Sequence, residues 1–175
     1  MELAVLGWPP DGPTLRLDHE RFSYAGKFVM SSTGKAVARE GEDLVAAIAF
    51  NEDRTDADTL WLRYVTVRAD RRGEGIAPRL ARFVTARARE RGYERVTIAV
   101  NNPFAYEALY RAGFGFTGEE TGIAELVLAF PSDRPAEDYR AGLDRFRDRD
   151  LSDAEAAFLA DREGATPPAV VARPG

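Results

Sequence analysis

Apolar and polar positions repeat with two different periods along this chain, and the changes of period mark its elements. Strand-like stretches come first. ELAVLGW and TLRLDHERFSY each read as strands, and the turn-rich PPDGP between them marks a connection. AGKFVMSSTG carries a mixed period that fits a helix only in part. From Lys35 the pattern sharpens: KAVARE and DLVAAIAF form two antiparallel strands around a Gly-Glu turn, followed by the polar loop NEDRTDADT. TLWLRYVTV, rich in β-branched and aromatic residues, is the next strand. The period then lengthens. Leu80, Phe83, Val84 and Ala88 recur at 3–4 spacing, as one face of a helix requires. Pro78 suits its first turn, Arg87, Arg89 and Arg91 its last, and Gly92 the position just beyond. RVTIAV is a short buried strand, and a second helix starts at Asn102-Pro103 and stops at Gly113. FGFTGEETGIAELVLAF gives two strands around a turn. The order ββ-β-α-β-α-ββ defines a mixed, mostly antiparallel sheet flanked by helices.

Past Pro131 the composition turns charged, and Ser152 with Glu155 forms a capping box ahead of AAFLA. The sequence therefore divides into a domain over 1–130 and a charged, partly helical C-terminal extension over 131–175. The extension has a small apolar face around Phe158, suited to docking on the body or on a second copy in a homodimer. Its last dozen residues, with their prolines, are expected to fray.

Composition narrows the chemistry. At 175 residues, 45% hydrophobic and 30% charged, the chain is an ordinary globular one able to bury a core. It has no cysteine and one histidine, His19, which excludes thiolate nucleophiles and leaves no His- or Cys-based metal cluster. A net charge of −5 argues against nucleic acid as a partner. The N-terminal MELAVLGWPPDG has no basic start and no long apolar run, and no stretch reaches the length of a membrane span, so the expected setting is cytoplasmic. What remains for chemistry is carboxylates, tyrosines, arginines and backbone amides.

The strand-to-helix joint RRGEGIAPRL over residues 71–80 sets two glycines beside two adjacent arginines. Glycine weakens helices and neighbouring like charges repel, so the arrangement needs a reason. A helix N-terminus attracts anions through unpaired amides, and Gly73 and Gly75 let an anion approach the backbone. Arg71, Arg72 and Arg79 add formal charge there. The plainer reading is a glycine turn capping a surface helix. Two known phosphate loops do not match: no lysine or hydroxyl follows these glycines, and proline holds the third glycine slot of a dinucleotide fingerprint.

The joint does resemble the signature of the GNAT superfamily of acyl-CoA-dependent N-acetyltransferases, [QR]-x-x-G-x-[GA], here running through Arg72-Gly73-Glu74-Gly75-Ile76-Ala77. A second family pattern, an asparagine after the fifth strand, an alanine three residues on and a helix ending in Gly-Phe, is similar to Asn102, Ala105, Gly113 and Phe114. GFGFTGE at 113–119 also looks like the family's G-F-x-x-T-G-E run. The resemblance covers roughly residues 35–130. It implies acetyl-CoA as co-substrate, its pyrophosphate held by backbone amides from Arg72 to Ala77. It also implies that a splayed strand at Val65, Thr66 and Val67 receives the pantetheine arm, with Asn102 touching the same arm. An extended arm carrying amides suits addition to a strand edge.

One slot departs from the family pattern. The tyrosine that often protonates the leaving thiolate lies seven residues after that asparagine, where this chain has Leu109; Tyr110 is one residue further. One helical residue rotates a side chain by about 100°. Tyr110 remains the candidate acid if a bulge restores its register, with Tyr106 behind it; the competing reading makes both packing residues. Glu119 and Glu120 are the candidate carboxylates for taking the amine's proton, against a reading as a solvated turn. Glu42 and His19 are weaker choices. Trp61, Tyr64 and Phe104 are candidates to line an acceptor pocket, or else core. The activity implied is transfer of an acetyl group to a primary amine on a small molecule or a protein. The alternatives are a non-catalytic acyl-CoA-binding module and a structural interaction protein.

Overall fold

In the computed structural model, residues 1–172 are described. They fall into two compact units, Met1–Val96 together with Ala172, and Thr97–Val171.

The first unit is a meander. Strands β1 (Glu2–Gly7), β2 (Gly34–Glu40), β3 (Asp43–Glu52) and β4 (Thr59–Val67) pair in sequence order, each antiparallel to the next. The β2–β3 hairpin closes through Gly41, whose φ of 60° only glycine adopts freely. Period-two alternation gives the sheet two apolar faces. Val37, Ala47 and Ala49 lie on one, buried with Phe28 and flanked by Leu15, Leu17 and Tyr64. Ala36, Ile48 and Phe50 alternate onto the other and are fully buried. Helix α1 (Ile76–Glu90) packs on β2, β3 and β4 and buries Leu80, Phe83, Val84 and Ala88, the residues that its period selects. Gly34 is set by this packing, because a Cβ there would meet the Phe50 ring at 2.3 Å.

The stretch TLRLDHERFSY is not a strand. The Asp18 carbonyl accepts the amides of Arg21 and Phe22, and its carboxylate accepts that of Glu20, so the chain turns at Asp18. Leu15 and Leu17 pack onto the sheet, and a 3-10 turn over Ala25–Val29 seats Phe28 in the core. The local side-chain bond offers the backbone an alternative to a ladder.

Strand β5 (Arg95–Val100) crosses from the first unit to the second. The second unit holds helix α2 (Pro103–Arg111), a hairpin of β6 (Gly115–Glu120) with β7 (Leu126–Phe130), and helices α3 (Ala136–Arg147) and α4 (Asp153–Ala160). With seven strands, mostly antiparallel in their pairing, and helices packed on them, the fold class matches the expectation.

The division expected at residue 130 needs correction: residues 131–171 share one compact unit with 97–130. Tyr139, Leu143, Phe146 and Leu159 are buried, and Tyr139 and Phe146 pack their rings on Tyr106. The expected capping box of Ser152 and Glu155 is formed in both directions. The tail is tied down over its described part: the Val171 amide donates to the Arg111 carbonyl at 2.8 Å, and Arg134 donates to that of Pro168 at 2.8 Å. Residues 173–175 of the stretch expected to fray lie outside the described residues. No helix among the described residues is long and apolar enough to cross a membrane.

Candidate functional site

The joint between β4 and α1 is built around backbone amides. A 3-10 turn over Ala69–Arg71 leads to Gly73 and Gly75, with φ of 83° and 77°. Gly75 caps α1 in the left-handed conformation and no side chain caps the helix. Among the described residues, the amides of Gly73, Glu74, Gly75, Ile76 and Ala77 donate no hydrogen bond. Beside both glycines, the space that a Cβ would occupy is open. Unspent donors at the positive end of a helix, with open space beside both glycines, carry the chemistry that receives an oxyanion such as a phosphate.

The arginines divide the work. Arg71 is neutralised by Glu40 at 2.5 Å and Glu74 at 3.0 Å, and both carboxylates push its pKa up. Arg72 is exposed and anchored, Nε on the Val67 carbonyl at 3.3 Å and a terminal nitrogen on Ser23 Oγ at 3.1 Å. The repulsion between the pair is relieved because Arg71 is consumed by acids. Arg72 fastens the loop to the end of β4.

On β4 itself, Val65 and Val67 are partly buried and Thr66 is buried, its hydroxyl without a hydrogen-bond partner. A β-bulge lies just before them. Tyr64 faces Ala49 and Leu62 faces Phe50, so Arg63 has no partner in the register. The extra residue shifts the alternation, and Trp61, Arg63 and Tyr64 all line one open cleft of about 490 Å³ in the first unit. Trp61 and Tyr64 thus stand where the sequence proposed a pocket wall. Phe104 does not: it belongs to the second unit, edge-on to Phe158 at 4.8 Å.

The remaining candidates sit as follows. Asn102 caps α2, its Oδ1 accepting the Ala105 amide at 2.9 Å, which gives the asparagine-to-alanine spacing a structural cause. Tyr110 is fully buried; its hydroxyl accepts the Phe116 amide at 2.8 Å, and burial raises its pKa. Helix α2 runs unbroken from Pro103 to Arg111, so no bulge moves Tyr110 into the slot held by Leu109. In this structure Tyr110 packs in the core with a buried amide in its charge. Tyr106 is likewise buried and donates to the Tyr139 carbonyl at 2.9 Å. Glu119 and Glu120 are exposed on β6, Glu120 paired with Arg145 at 2.7 Å. Glu42 is exposed at the β2–β3 turn and His19 in the loop that turns at Asp18. The bulge at Arg63 was missed; only the polar residue interrupting TLWLRYVTV hints at it.

A bulged antiparallel meander ending in an uncapped, glycine-opened helix defines an α/β protein with a loop of open backbone amides. The chain belongs to the acetyltransferase (GNAT) family, whose model matches residues 2–116. A search of curated proteins finds no match. Among solved structures, nourseothricin acetyltransferase is 24% identical with a TM-score of 0.49, the alignment covering 55% of this chain and 64% of that one. The GNAT domain of S. lividans PAT is 21% identical with a TM-score of 0.51, over 56% of this chain and 60% of that domain. An acetyltransferase of Bacillus subtilis, solved in complex with CoA, is 16% identical with a TM-score of 0.48, over 55% and 75%. The chain thus spans less than two thirds of the first and second of these, and the likeness to the S. lividans domain shows the fold alone.

Proposed function

We propose that this protein transfers an acetyl group from acetyl-CoA directly to a primary amine of a small molecule or a protein. The observation that carries the reading is the set of unspent amides from Gly73 to Ala77, open to an oxyanion, in a chain of the GNAT family. These amides would receive the pyrophosphate of CoA. The pantetheine arm would run along β4 at Val65–Val67, adding its amides to the strand edge. The amine nitrogen attacks the thioester carbonyl, the C–N bond forms and the C–S bond breaks. The proton lost by nitrogen balances the one gained by the departing thiolate. A backbone amide aimed at the carbonyl oxygen lowers the barrier by stabilising its developing charge.

The burial of Tyr110 favours a second reading, an acyl-CoA-binding module without turnover. Thermal unfolding with acetyl-CoA, CoA, ATP or NAD, followed by thiol release in the presence of amines, separates the two. Ligand at about 100 times its dissociation constant adds about 2.7 kcal/mol of stability. Both CoA species are expected to raise Tm, and ATP and NAD to do so much less. Gly75→Asn is expected to erase that shift with a small loss of basal stability, since asparagine tolerates the left-handed conformation while its side chain enters the open space. An unchanged CoA response in Gly75→Asn would remove the loop from the site, and binding without thiol release would select the module.

A further inference from the structure

The cleft on the first unit holds more positive charge than its own carboxylate can use. Lys27, Arg54 and Arg63 line it together with Asp53, Trp61 and Tyr64. Among the described residues, none of the three cations forms an ion pair within 4.0 Å. Asp53 is already engaged, Oδ2 by the Trp61 indole at 2.5 Å and Oδ1 by the Thr55 amide and hydroxyl at 2.9 and 3.0 Å. Arg63 spends only Nε, on Asn51 Oδ1 at 2.7 Å, and its guanidinium lies 4.8 Å over the Trp61 ring with its terminal nitrogens unspent. Lys27 stands 5.7 Å over the Tyr64 ring. Lys35 takes no part in binding, because its buried ammonium donates to the Met30 and Thr33 carbonyls and fixes that wall of the cleft.

Two cations parked on aromatic faces and a third beside them form a site for an anion. A neutral or cationic ligand would leave the charges uncompensated as water is displaced. The bulge puts Arg63 and Tyr64 on the same side, and Thr66 follows Tyr64 by two residues, about 7 Å along a strand. We propose that the cleft binds the acceptor of the acetyl transfer, and selects an amine that also carries an anionic group, a carboxylate or a phosphate. The acceptor role rests on the acetyltransferase reading; the anion site does not.

Matched probes isolate the charge: 4-(aminomethyl)benzoate, its neutral carboxamide, and 4-(aminomethyl)phenylphosphonate share one amine and one ring. The chain has two tryptophans, so the Trp61 indole N–H signal in a ¹⁵N spectrum is identified with Trp8→Phe. The benzoate or the phosphonate is expected to shift that signal saturably, binding about tenfold tighter than the carboxamide. The tighter of the two anions names the source. Arg63→Gln, and separately the exposed Lys27→Gln, should bring anion and carboxamide within about twofold of each other. Equal affinities in the wild type, no shift with either anion, or a preference untouched by both variants would overturn the proposal. Acetyl-CoA thermal shifts on the same samples keep the readings apart. Anion preference without a CoA response sinks the transferase, and a CoA response without anion preference sinks only the anion site.

Discussion

Tyr110 shows how a residue chosen for chemistry is held by packing. Its hydroxyl is the partner of the Phe116 amide, and its ring touches Tyr106 and Tyr139 with centroids 4.9 and 4.7 Å away. Removing the oxygen strands a buried donor, which costs about 1–3 kcal/mol. Tyr110→Phe is therefore expected to lower Tm by several degrees and to leave thiol release per folded molecule unchanged; a collapse of turnover at unaltered stability would restore the general-acid role. Asp53 is the second residue with a legible consequence. The Trp61 indole first, then the Thr55 amide and hydroxyl, hold its carboxyl at about 2, below the ordinary value of 3.8. A depressed folded pKa means the contribution is complete above about pH 4, where an unfolded aspartate is ionised, and fades as pH falls toward 2. The Tm difference between wild type and Asp53→Asn, measured from pH 6 down to 2.5, should shrink across that window. A constant difference would show that the carboxylate charge is immaterial.

Elements rest on a few spacings that sequence can carry, and fail where a partner decides. The α1 face, the start of α2 at Asn102-Pro103 and the Ser152 capping box were legible because each is local: a period of 3.6, a proline at the first helical position, or an oxygen three residues from the amide it accepts. The bulge at Arg63 was not, since it exists only as a register against β3. The turn at Asp18 in TLRLDHERFSY was misread for a related reason: alternation promised a strand, but a side chain closed a turn. Gly142 is the clearest case. A glycine inside α3 reads as a defect, since alanine favours helix by about 1 kcal/mol. Here a Cβ would lie 2.1 Å from the Tyr106 hydroxyl, which is fastened to the Tyr139 carbonyl. Gly142→Ala should therefore destabilise the protein despite its better helix propensity. Urea unfolding decides the sign, and a gain in stability would mean that the Tyr106 ring moves aside freely.

At the scale of the whole chain, the fold class was legible and the boundary was not. The family match ends at residue 116 and the composition shifts near 131, so both would license cutting the chain after Phe130. Burial argues otherwise. Tyr139, Leu143, Phe146 and Leu159 are at most 2% exposed, and α3 and α4 supply all of them. Burying a side chain of that size contributes about 1.5–3 kcal/mol, against a total of about 5–15 kcal/mol for a domain. Arg134 adds donors to the Tyr110 and Phe114 carbonyls, and Tyr139 donates to the buried Glu107 carboxylate at 2.6 Å. Charged surface on α3 hid this, because a helix that buries one stripe still shows mostly polar residues in its composition. A fragment of residues 1–130 is expected to lose the packing of Tyr106 and Tyr110, and hydrogen exchange reads this directly. The Phe116 amide, sealed by the Tyr110 hydroxyl in the full chain, should exchange orders of magnitude faster in the fragment. Equal protection in both would make the C-terminal segment an appendage after all, and the first unit together with α2 and the hairpin a complete domain.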